Sequence, residues 1–417
     1  MVGPVVSTAE RIPVVAVTRR PPTWLLLMIL GFVMWAGLFV RGMMLGAAAH
    51  EEGITTTGLI IAGLELITGL LIIQGACEAL VQSVERLGAR LHWDGYVAGT
   101  AGEILSTLPE FVVITLLVAV EPLVAFIVAL VTIFNNALAF SIYSFFLPKD
   151  KTKMGAFVMP TAITKAGGEV LIAGCGIALV LGLAMLGLRA GGGSGEVLKT
   201  EFSGPDLIIV AIIMFAIFGA YIRSLVRNFS HSAESEQPAD PHTQGHPTAL
   251  GGIIGLLVLG VAGAVLGGES VSAFADTAIN SFKLPEIPTA IGLAFFAGVS
   301  EYVIVYKAHR KGELGIALSN VFGGVTQVMF LVFPFTLLVI GLYGVFGSTH
   351  HTIPINFTTS MLVLLLFPLF FVLLEYLEED HTLSNLDAAA MTGIYVLLLY
   401  VLIFMSPSGT ASVGGVH

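Results

Sequence analysis

The sequence predicts an all-α polytopic membrane protein of about eleven transmembrane helices, one N-terminal helix followed by two inverted five-helix repeats. Three observations predict this fold: the composition, a series of long apolar segments, and a matching arrangement of acids in the two halves. Of the 417 residues, 56% are hydrophobic and 11% are charged, and the mean hydropathy is +0.94. Because soluble domains carry about 25% charged residues, the composition indicates a chain largely embedded in a bilayer.

Eleven apolar segments are long enough to cross a bilayer core, which takes roughly 20 helical residues. They are expected at about 24–45, 54–77, 95–120, 122–147, 165–189, 205–226, 248–268, 287–306, 313–346, 355–376 and 387–405. Amphipathic stretches follow the second and the seventh span, at 78–92 and 269–284.

The spans and the polar segments between them divide the chain into five parts. A tail and the extra N-terminal helix occupy residues 1–53, and the first five-helix repeat occupies 54–227. An acidic linker follows at 228–247, then the second five-helix repeat at 248–405 and a C-terminal tail at 406–417. The linker is rich in Ser, Pro, His and acidic residues, a composition typical of disordered segments.

The distribution of lysine and arginine predicts the orientation in the membrane. With a cytoplasmic N-terminus, eleven spans place thirteen basic residues on the cytoplasmic side and four outside. The thirteen are Arg11, Arg19, Arg20, Arg86, Arg90, Lys149, Lys151, Lys153, Arg223, Arg227, Lys307, Arg310 and Lys311, and the four are Arg41, Arg189, Lys199 and Lys283. We therefore expect a multi-pass protein of the cell membrane, with its C-terminus outside. The net charge of −10 argues against a nucleic-acid partner.

The third span carries two carboxylates, Glu103 and Glu110, inside the apolar segment 95–120. Seven residues are nearly two helical turns, so both acids and Thr107 share one stripe of the helix. Pro109 removes one helical N–H beside Glu110. A charged group at mid-membrane costs at least about 2.5 kcal/mol, which a bound cation or a proton would offset. The alternative is a pair of neutral, hydrogen-bonded structural acids.

The second half of the chain repeats this arrangement. Glu301 takes the place of Glu110, and polar residues lie 25 and 26 positions after each acid, deep in the next apolar span. They are Asn135 and Asn136 in the first half, and Thr326 and Gln327 in the second. Because each repeat has an odd number of helices, the two repeats run in opposite directions across the membrane. Transporters of this design place the substrate at the midplane, where the repeats meet.

Segments in both halves of the chain resemble the alpha-repeat signatures of the cation/calcium exchanger superfamily. The segment Ser106-Thr107-Leu108-Pro109-Glu110 resembles Gly-Thr-Ser-Leu-Pro-Glu, with Leu105 at the position of the glycine. The segments Gly298-Val299-Ser300-Glu301 and Ser319-Asn320-Val321-Phe322-Gly323-Gly324-Val325-Thr326-Gln327, followed by Phe330, Phe333 and Pro334, are most similar to the calcium/proton exchanger branch. The resemblance covers nearly the whole chain and implies one extra helix plus five and five helices joined by an acidic linker.

The sequence departs from that branch where its members carry asparagines. Ser106-Thr107 and Ala297-Gly298 stand where an Asn precedes each acid in the branch. The Asn expected in the span after the first acid falls near Ile127, and the following Ser-Asn pair near Val131-Thr132. Fewer oxygen ligands are therefore available than the family pattern implies.

The expected cation site combines the two repeats. Its candidate ligands are Glu110, Glu301, Thr107, Asn136, Asn320, Gln327 and Glu103. Asn320 could instead hydrogen-bond a neighbouring helix, and Gly323-Gly324 is expected to permit close approach of backbones. No resident cofactor is expected, and the partners are inorganic cations and the lipid bilayer.

The resemblance implies an antiporter that exchanges Ca²⁺ for H⁺, since either occupant neutralises the two carboxylates. A sodium-coupled exchanger of the same superfamily, exchanging Na⁺ for Ca²⁺ or H⁺, is the alternative, and a passive cation channel is the other class considered. An intramembrane enzyme is not expected. None of the ten histidines lies well inside a predicted span, and no His-Glu-x-x-His motif occurs.

Overall fold

The computed structural model of the chain describes residues 21–45, 55–91, 102, 104–149, 155–160, 162–191, 200–229, 249–312, 314–347, 351–378 and 381–405. Within these residues, ten helices are long and apolar enough to cross a membrane, and a shorter apolar helix covers Ile104–Val120. The predicted all-α membrane fold with about eleven spans is confirmed. Glu103, both tails up to residue 20 and from residue 406, and the linker from residue 230 onward lie outside the described residues.

Six α-helices are described before the linker. They are α1 (Thr23–Leu45), α2 (Thr56–Leu91), α3 (Leu108–Val120), α4 (Pro122–Tyr143), α5 (Gly168–Gly191) and α6 (Gly204–Phe229). A 3₁₀ turn at Ser144–Phe146 follows α4, and a π-helical turn at Ala162–Gly167 precedes α5. Two short strands, β1 (Phe157–Val158) and β2 (Glu201–Phe202), lie in the connections on either side of α5.

After the linker, most predicted spans consist of two helical segments each. The helices are α7 (Leu250–Asp276), α8 (Glu286–Ala297), α9 (Val299–Lys311), α10 (Leu314–Gln327), α11 (Phe333–Phe346), α12 (Phe357–Leu364), α13 (Leu366–Glu378) and α14 (Asn385–Tyr400). The π-helical turns Thr277–Ser281, Val328–Val332 and Val401–Met405 follow α7, α10 and α14. Strands β3 (Ile353–Pro354) and β4 (Thr382–Leu383) precede α12 and α14.

The two amphipathic stretches are not separate elements, because each continues the helix before it. Helix α2 runs without interruption to Leu91, and α7 with its π-helical turn runs to Ser281. Neither stretch contains a proline, which would end the helix, and the first proline after α7 is Pro285. Where the extension of α2 begins, the Glu78 carboxylate pairs with the Lys307 ammonium at 3.3 Å, which ties α2 to α9.

The centre of the fold is formed by the span that follows each acid. In an 18-residue apolar stretch of Pro122–Phe146, 83% of the residues are buried. In a stretch of the same length in Ala317–Phe346, 61% are buried. In the N-terminal helix α1, 17% of the residues in such a stretch are buried, so most of this helix faces away from the protein. A helix that is apolar on all sides is stable when other helices surround it. These two central spans also carry the polar residues at matching offsets from the acids.

Helices α2 and α7 pack closely through two facing glycines. A methyl group built on Gly69 would lie 2.9 Å from the carbonyl oxygen of Gly267, and one built on Gly267 would lie 3.1 Å from that of Gly69. The two backbones are therefore in direct contact, as small residues permit in membrane helices. On the other side, Gly268 of α7 lies against Val112 of α3.

The strands pair across the chain and indicate which connections share a side of the membrane. Strand β1 pairs antiparallel with β4, and β2 pairs antiparallel with β3. Each pair joins connections that the eleven-span path puts on the same side, so the pairing agrees with the predicted alternation. The absolute orientation and the domain boundaries stay predictions.

Lys149 ties α4 to the strand before α14. Its ammonium donates to the carbonyl oxygens of Ser144 and Leu383, both at 2.8 Å. Burial lowers the pKa of the Lys149 ammonium, and the Asp387 carboxylate opposes this shift. The residue thus holds the end of a central span against the chain's last connection.

Candidate cation-binding site

Both acids follow a break in a membrane helix. In the first half, a helical segment reaches Ser106, Thr107 forms a turn, and α3 begins at Leu108. In the second half, α8 ends at Ala297, Gly298 forms a turn, and α9 begins at Val299. The turn residue precedes the acid by three positions in each case. Pro109 explains the first break, because it has no N–H to continue the helix.

The breaks place Glu110 and Glu301 in the first turns of α3 and α9. The N-terminus of a helix carries a partial positive charge, which favours a carboxylate there. A helix break can leave carbonyls without helical partners, and such carbonyls can face a cation. Here the carbonyl oxygen of Ile104 accepts from the Thr107 hydroxyl, and that of Ala294 accepts from the Gly298 N–H. Each repeat therefore supplies a carboxylate in the first turn after a helix break.

Glu110 is buried, with 8% of its surface exposed. Its Oε2 atom is fully buried and has no hydrogen-bond partner among the described residues. The Glu301 carboxyl is close enough to interact with it electrostatically. Thr107 is buried beside the break and donates its hydroxyl to the carbonyl oxygen of Ile104 at 2.7 Å, which leaves its oxygen lone pairs available.

Asn136 links the two repeats. Its Nδ2 atom donates to Oε2 of Glu301 at 3.2 Å, and its Oδ1 atom accepts from the Tyr302 hydroxyl at 3.4 Å. Gly324 of α10 lies against this pair, because a methyl group there would be 2.8 Å from Nδ2 of Asn136 and 3.1 Å from Oε2 of Glu301. A side chain at position 324 would therefore enter the space beside the acid.

The other polar residues singled out in the sequence lie on the central spans. Gln327, Thr326 and Asn135 are buried, and Nδ2 of Asn135 has no hydrogen-bond partner among the described residues. Asn320 is half-buried on α10, one turn before Gly324 and on the same face. Of the predicted ligands, the structure brings Glu110, Glu301 and Asn136 together, and Glu103 lies outside the described residues.

Two residues of the site were not predicted as such. Tyr302 follows Glu301 directly, and its phenol lies within electrostatic range of both acids. Gly324 was expected to permit contact between backbones, whereas the atoms that approach it belong to the side chains of Asn136 and Glu301. Only the adjacency of Tyr302 to the acid could have drawn attention to it in the sequence.

Comparison with known proteins gives a family match in the second half of the chain and a fold match over nearly all of it. Residues 252–404 match the family described as sodium/calcium exchanger protein. No curated protein sequence matches the chain. The solved structure of the H⁺/Ca²⁺ exchanger CAX is similar with 12% identity and a TM-score of 0.62, covering 92% of this chain and 93% of that one. The structure of YfkE is similar with 13% identity and a TM-score of 0.56, covering 91% and 99%.

At these identities the solved structures establish the fold. The family match adds the sequence of the second repeat, which includes Glu301, Asn320 and Gln327. The predicted resemblance to the cation/calcium exchanger superfamily is confirmed: residues 252–404 match the sodium/calcium exchanger family, and the chain shares its fold with the solved structures of CAX and YfkE.

Proposed function

We propose that the protein is a secondary active cation antiporter that exchanges Ca²⁺ for H⁺ by alternating access, with Glu110 and Glu301 as the ion-binding acids. The observation that carries the proposal is the pair of carboxyls itself. Each acid comes from one repeat, follows a helix break, and lies within electrostatic range of the other. The fold match to an H⁺/Ca²⁺ exchanger supports this choice.

The coupling follows from charge. Two ionised carboxylates away from water are costly, and either one divalent cation or two protons neutralise them. The two occupants exclude each other, since a metal ion needs ionised carboxylates and must displace their protons. A transporter that changes its facing side only when the site is neutral would move the two ions in opposite directions.

Calcium takes six to eight oxygens at about 2.3–2.6 Å. Glu110 and Glu301 would supply up to four of them as bidentate ligands. Thr107, Asn136 and Gln327 would add side-chain oxygens, and the carbonyls at the helix breaks and water would complete the shell. Asn320 and Glu103 stay candidate ligands on the sequence argument.

Alternating access would come from the α2–α7 pair moving against the central spans. These two helices pack closely on each other through Gly69 and Gly267, and their apolar windows are only 33% and 28% buried. Gly268 touches Val112 on α3, the helix that carries Glu110. A shift of the pair would therefore move one side of the cation site.

A sodium-coupled exchanger is the second candidate. The observation that favours it is the replacement of two family asparagines by Ser106-Thr107 and Ala297-Gly298. Sodium also accepts carboxylate and amide oxygens, and a smaller set of oxygens would serve it.

The test is calcium transport by purified protein in proteoliposomes, for the variants Glu110→Gln and Glu301→Gln. We expect each variant to abolish exchange while thermal unfolding shows that the protein is folded. The glutamine amide has no acidic proton to exchange and no negative charge to neutralise the cation. Glu169→Gln is the matched control, since Glu169 is an exposed glutamate in the first turn of α5. Near-normal exchange by either site variant would remove the proposal.

A further inference from the structure

The Asn136 amide is held at both ends by neighbouring residues of one helix. Its nitrogen donates to Glu301 and its oxygen accepts from Tyr302, at 3.2 Å and 3.4 Å. The side chain is 2% exposed, so protein groups rather than solvent satisfy the amide. In this orientation the N–H faces the acid and the oxygen faces the phenol.

That orientation limits what Asn136 can do for a cation. An amide nitrogen donates hydrogen bonds and does not ligate a hard cation, which binds the amide oxygen. For Asn136 to ligate an ion held by Glu301, the amide would have to turn over. Its oxygen would then face the ion and its N–H would face Tyr302.

The Tyr302 hydroxyl suits both orientations, because a hydroxyl donates one hydrogen bond and also accepts. Glycines leave room for both groups. A methyl group on Gly298 would lie 2.8 Å from the Tyr302 oxygen, and one on Gly324 would lie 2.8 Å from Nδ2 of Asn136. The phenol and the amide thus occupy space that a side chain at position 298 or 324 would fill.

We propose that Tyr302 is a positioning residue that sets the orientation of the Asn136 amide, so that Asn136 gives a hydrogen bond to Glu301 in one state and an oxygen to the transported cation in the other. Tyr302 donates to the amide oxygen in the first state and accepts from the amide nitrogen in the second. The inference rests on the proposed function, since it assigns Tyr302 to the cation site of an exchanger.

The substitution Tyr302→Phe removes the hydroxyl and keeps the ring. In the first state an amide carbonyl loses a donor, and in the second a buried N–H loses its acceptor. Buried N–H groups without an acceptor are rarer in proteins than carbonyls that lack a donor, because a carbonyl oxygen has a second lone pair through which it can still be satisfied. The cation-loaded state is therefore weakened more, and we expect the KM for calcium to rise roughly three- to tenfold. The turnover number should stay within about twofold, because both carboxylates are retained.

The experiment measures radioactive calcium uptake into proteoliposomes by wild-type protein, Tyr302→Phe, Tyr306→Phe and Asn136→Ala, and by the double variant Tyr302→Phe/Asn136→Ala. Tyr306 lies one turn further along α9 and is 63% exposed, so Tyr306→Phe controls for loss of a tyrosine hydroxyl on this helix. We expect its KM to equal that of wild type. In the Asn136→Ala background, Tyr302→Phe should add nothing, because the residue it acts through is gone.

An unchanged KM in Tyr302→Phe, or a fall in turnover with an unchanged KM, would overturn the inference. A full additional rise in KM in the Asn136→Ala background would also overturn it. If Asn136→Ala is inactive, the comparison of Tyr302→Phe with Tyr306→Phe alone decides. Absence of calcium uptake by the wild-type protein would defeat the proposed function, whereas uptake with an unaltered Tyr302→Phe would defeat the inference alone.

Discussion

A methyl group added at position 324 should obstruct the cation site without unfolding the protein. In Gly324→Ala, the new carbon would lie 2.8 Å from Nδ2 of Asn136 and 3.1 Å from Oε2 of Glu301. Real Cβ atoms essentially never approach another heavy atom within 3.0 Å, and 3.1 Å is also a tight contact. The amide would therefore have to shift, and the carboxylate would have to give way by a few tenths of an ångström. The position is inside α10, where alanine is a good helix former.

Two opposing effects determine the stability of this variant. Overpacking costs about 1–3 kcal/mol, and replacing a helical glycine by alanine recovers up to about 1 kcal/mol. The expected net loss of unfolding free energy is therefore between about 0 and 3 kcal/mol. The effect on transport should be larger, because calcium ligands must lie within a range of about 0.3 Å. A displacement of several tenths of an ångström would remove two ligands from that range.

The assay is calcium exchange in proteoliposomes together with thermal unfolding in detergent. We expect Gly324→Ala to lower kcat/KM by about a hundredfold or more, in the manner of a misplaced ligand. Gly176→Ala on α5 is the matched control, since no atom lies within 4 Å of its added methyl group. Normal exchange by Gly324→Ala would refute the view that the Asn136–Glu301 contact borders the ion.

Three further predictions concern the frame around the site. Gly69→Leu should lower the thermal midpoint and slow exchange, because its side chain would meet the Gly267 carbonyl, and overpacking costs about 1–3 kcal/mol; an unchanged midpoint would argue against the close α2–α7 contact. Lys149→Met leaves two backbone carbonyls without a charged donor and should lower the free energy of unfolding by about 1–3 kcal/mol, measured by denaturant unfolding. An unchanged free energy of unfolding would mean that these two hydrogen bonds add no stability. Single cysteines placed near Lys151 and near the C-terminus should react with an impermeant reagent from opposite sides, and labelling from one side would mean that the span count is wrong.

The fold could be predicted from sequence because burial in lipid leaves a strong pattern. The predicted span 122–147 corresponds to Pro122–Phe146 in the structure. Its ends were clear in the sequence because Pro122 begins the apolar segment and a polar loop follows it. The helix breaks are harder to predict, because each lies inside a longer, mainly apolar segment, at 95–120 and 287–306. Pro109 marks the first one, whereas Gly298 has no feature that distinguishes it from the many glycines that continue a helix.

Part of the site could be predicted from spacing alone. The equal offsets from Glu110 and Glu301 single out Asn136, and the structure brings it to within 3.2 Å of Glu301. The roles of Tyr302 and Gly324 depend on which helices face each other. A residue adjacent to Glu301 points about 100° away around the helix, so its contact with Asn136 follows only from the three-dimensional position of α9 relative to α4.

The most direct test of the central claim is calcium flux under separately imposed gradients. Calcium-loaded proteoliposomes are given either a proton gradient without sodium or a sodium gradient with the pH clamped on both sides, and internal calcium and pH are recorded together. The proposed mechanism predicts calcium efflux driven by the proton gradient, with a matching change in internal pH that Glu110→Gln and Glu301→Gln abolish. Calcium flux driven by the sodium gradient at clamped pH, with none driven by the proton gradient, would contradict it.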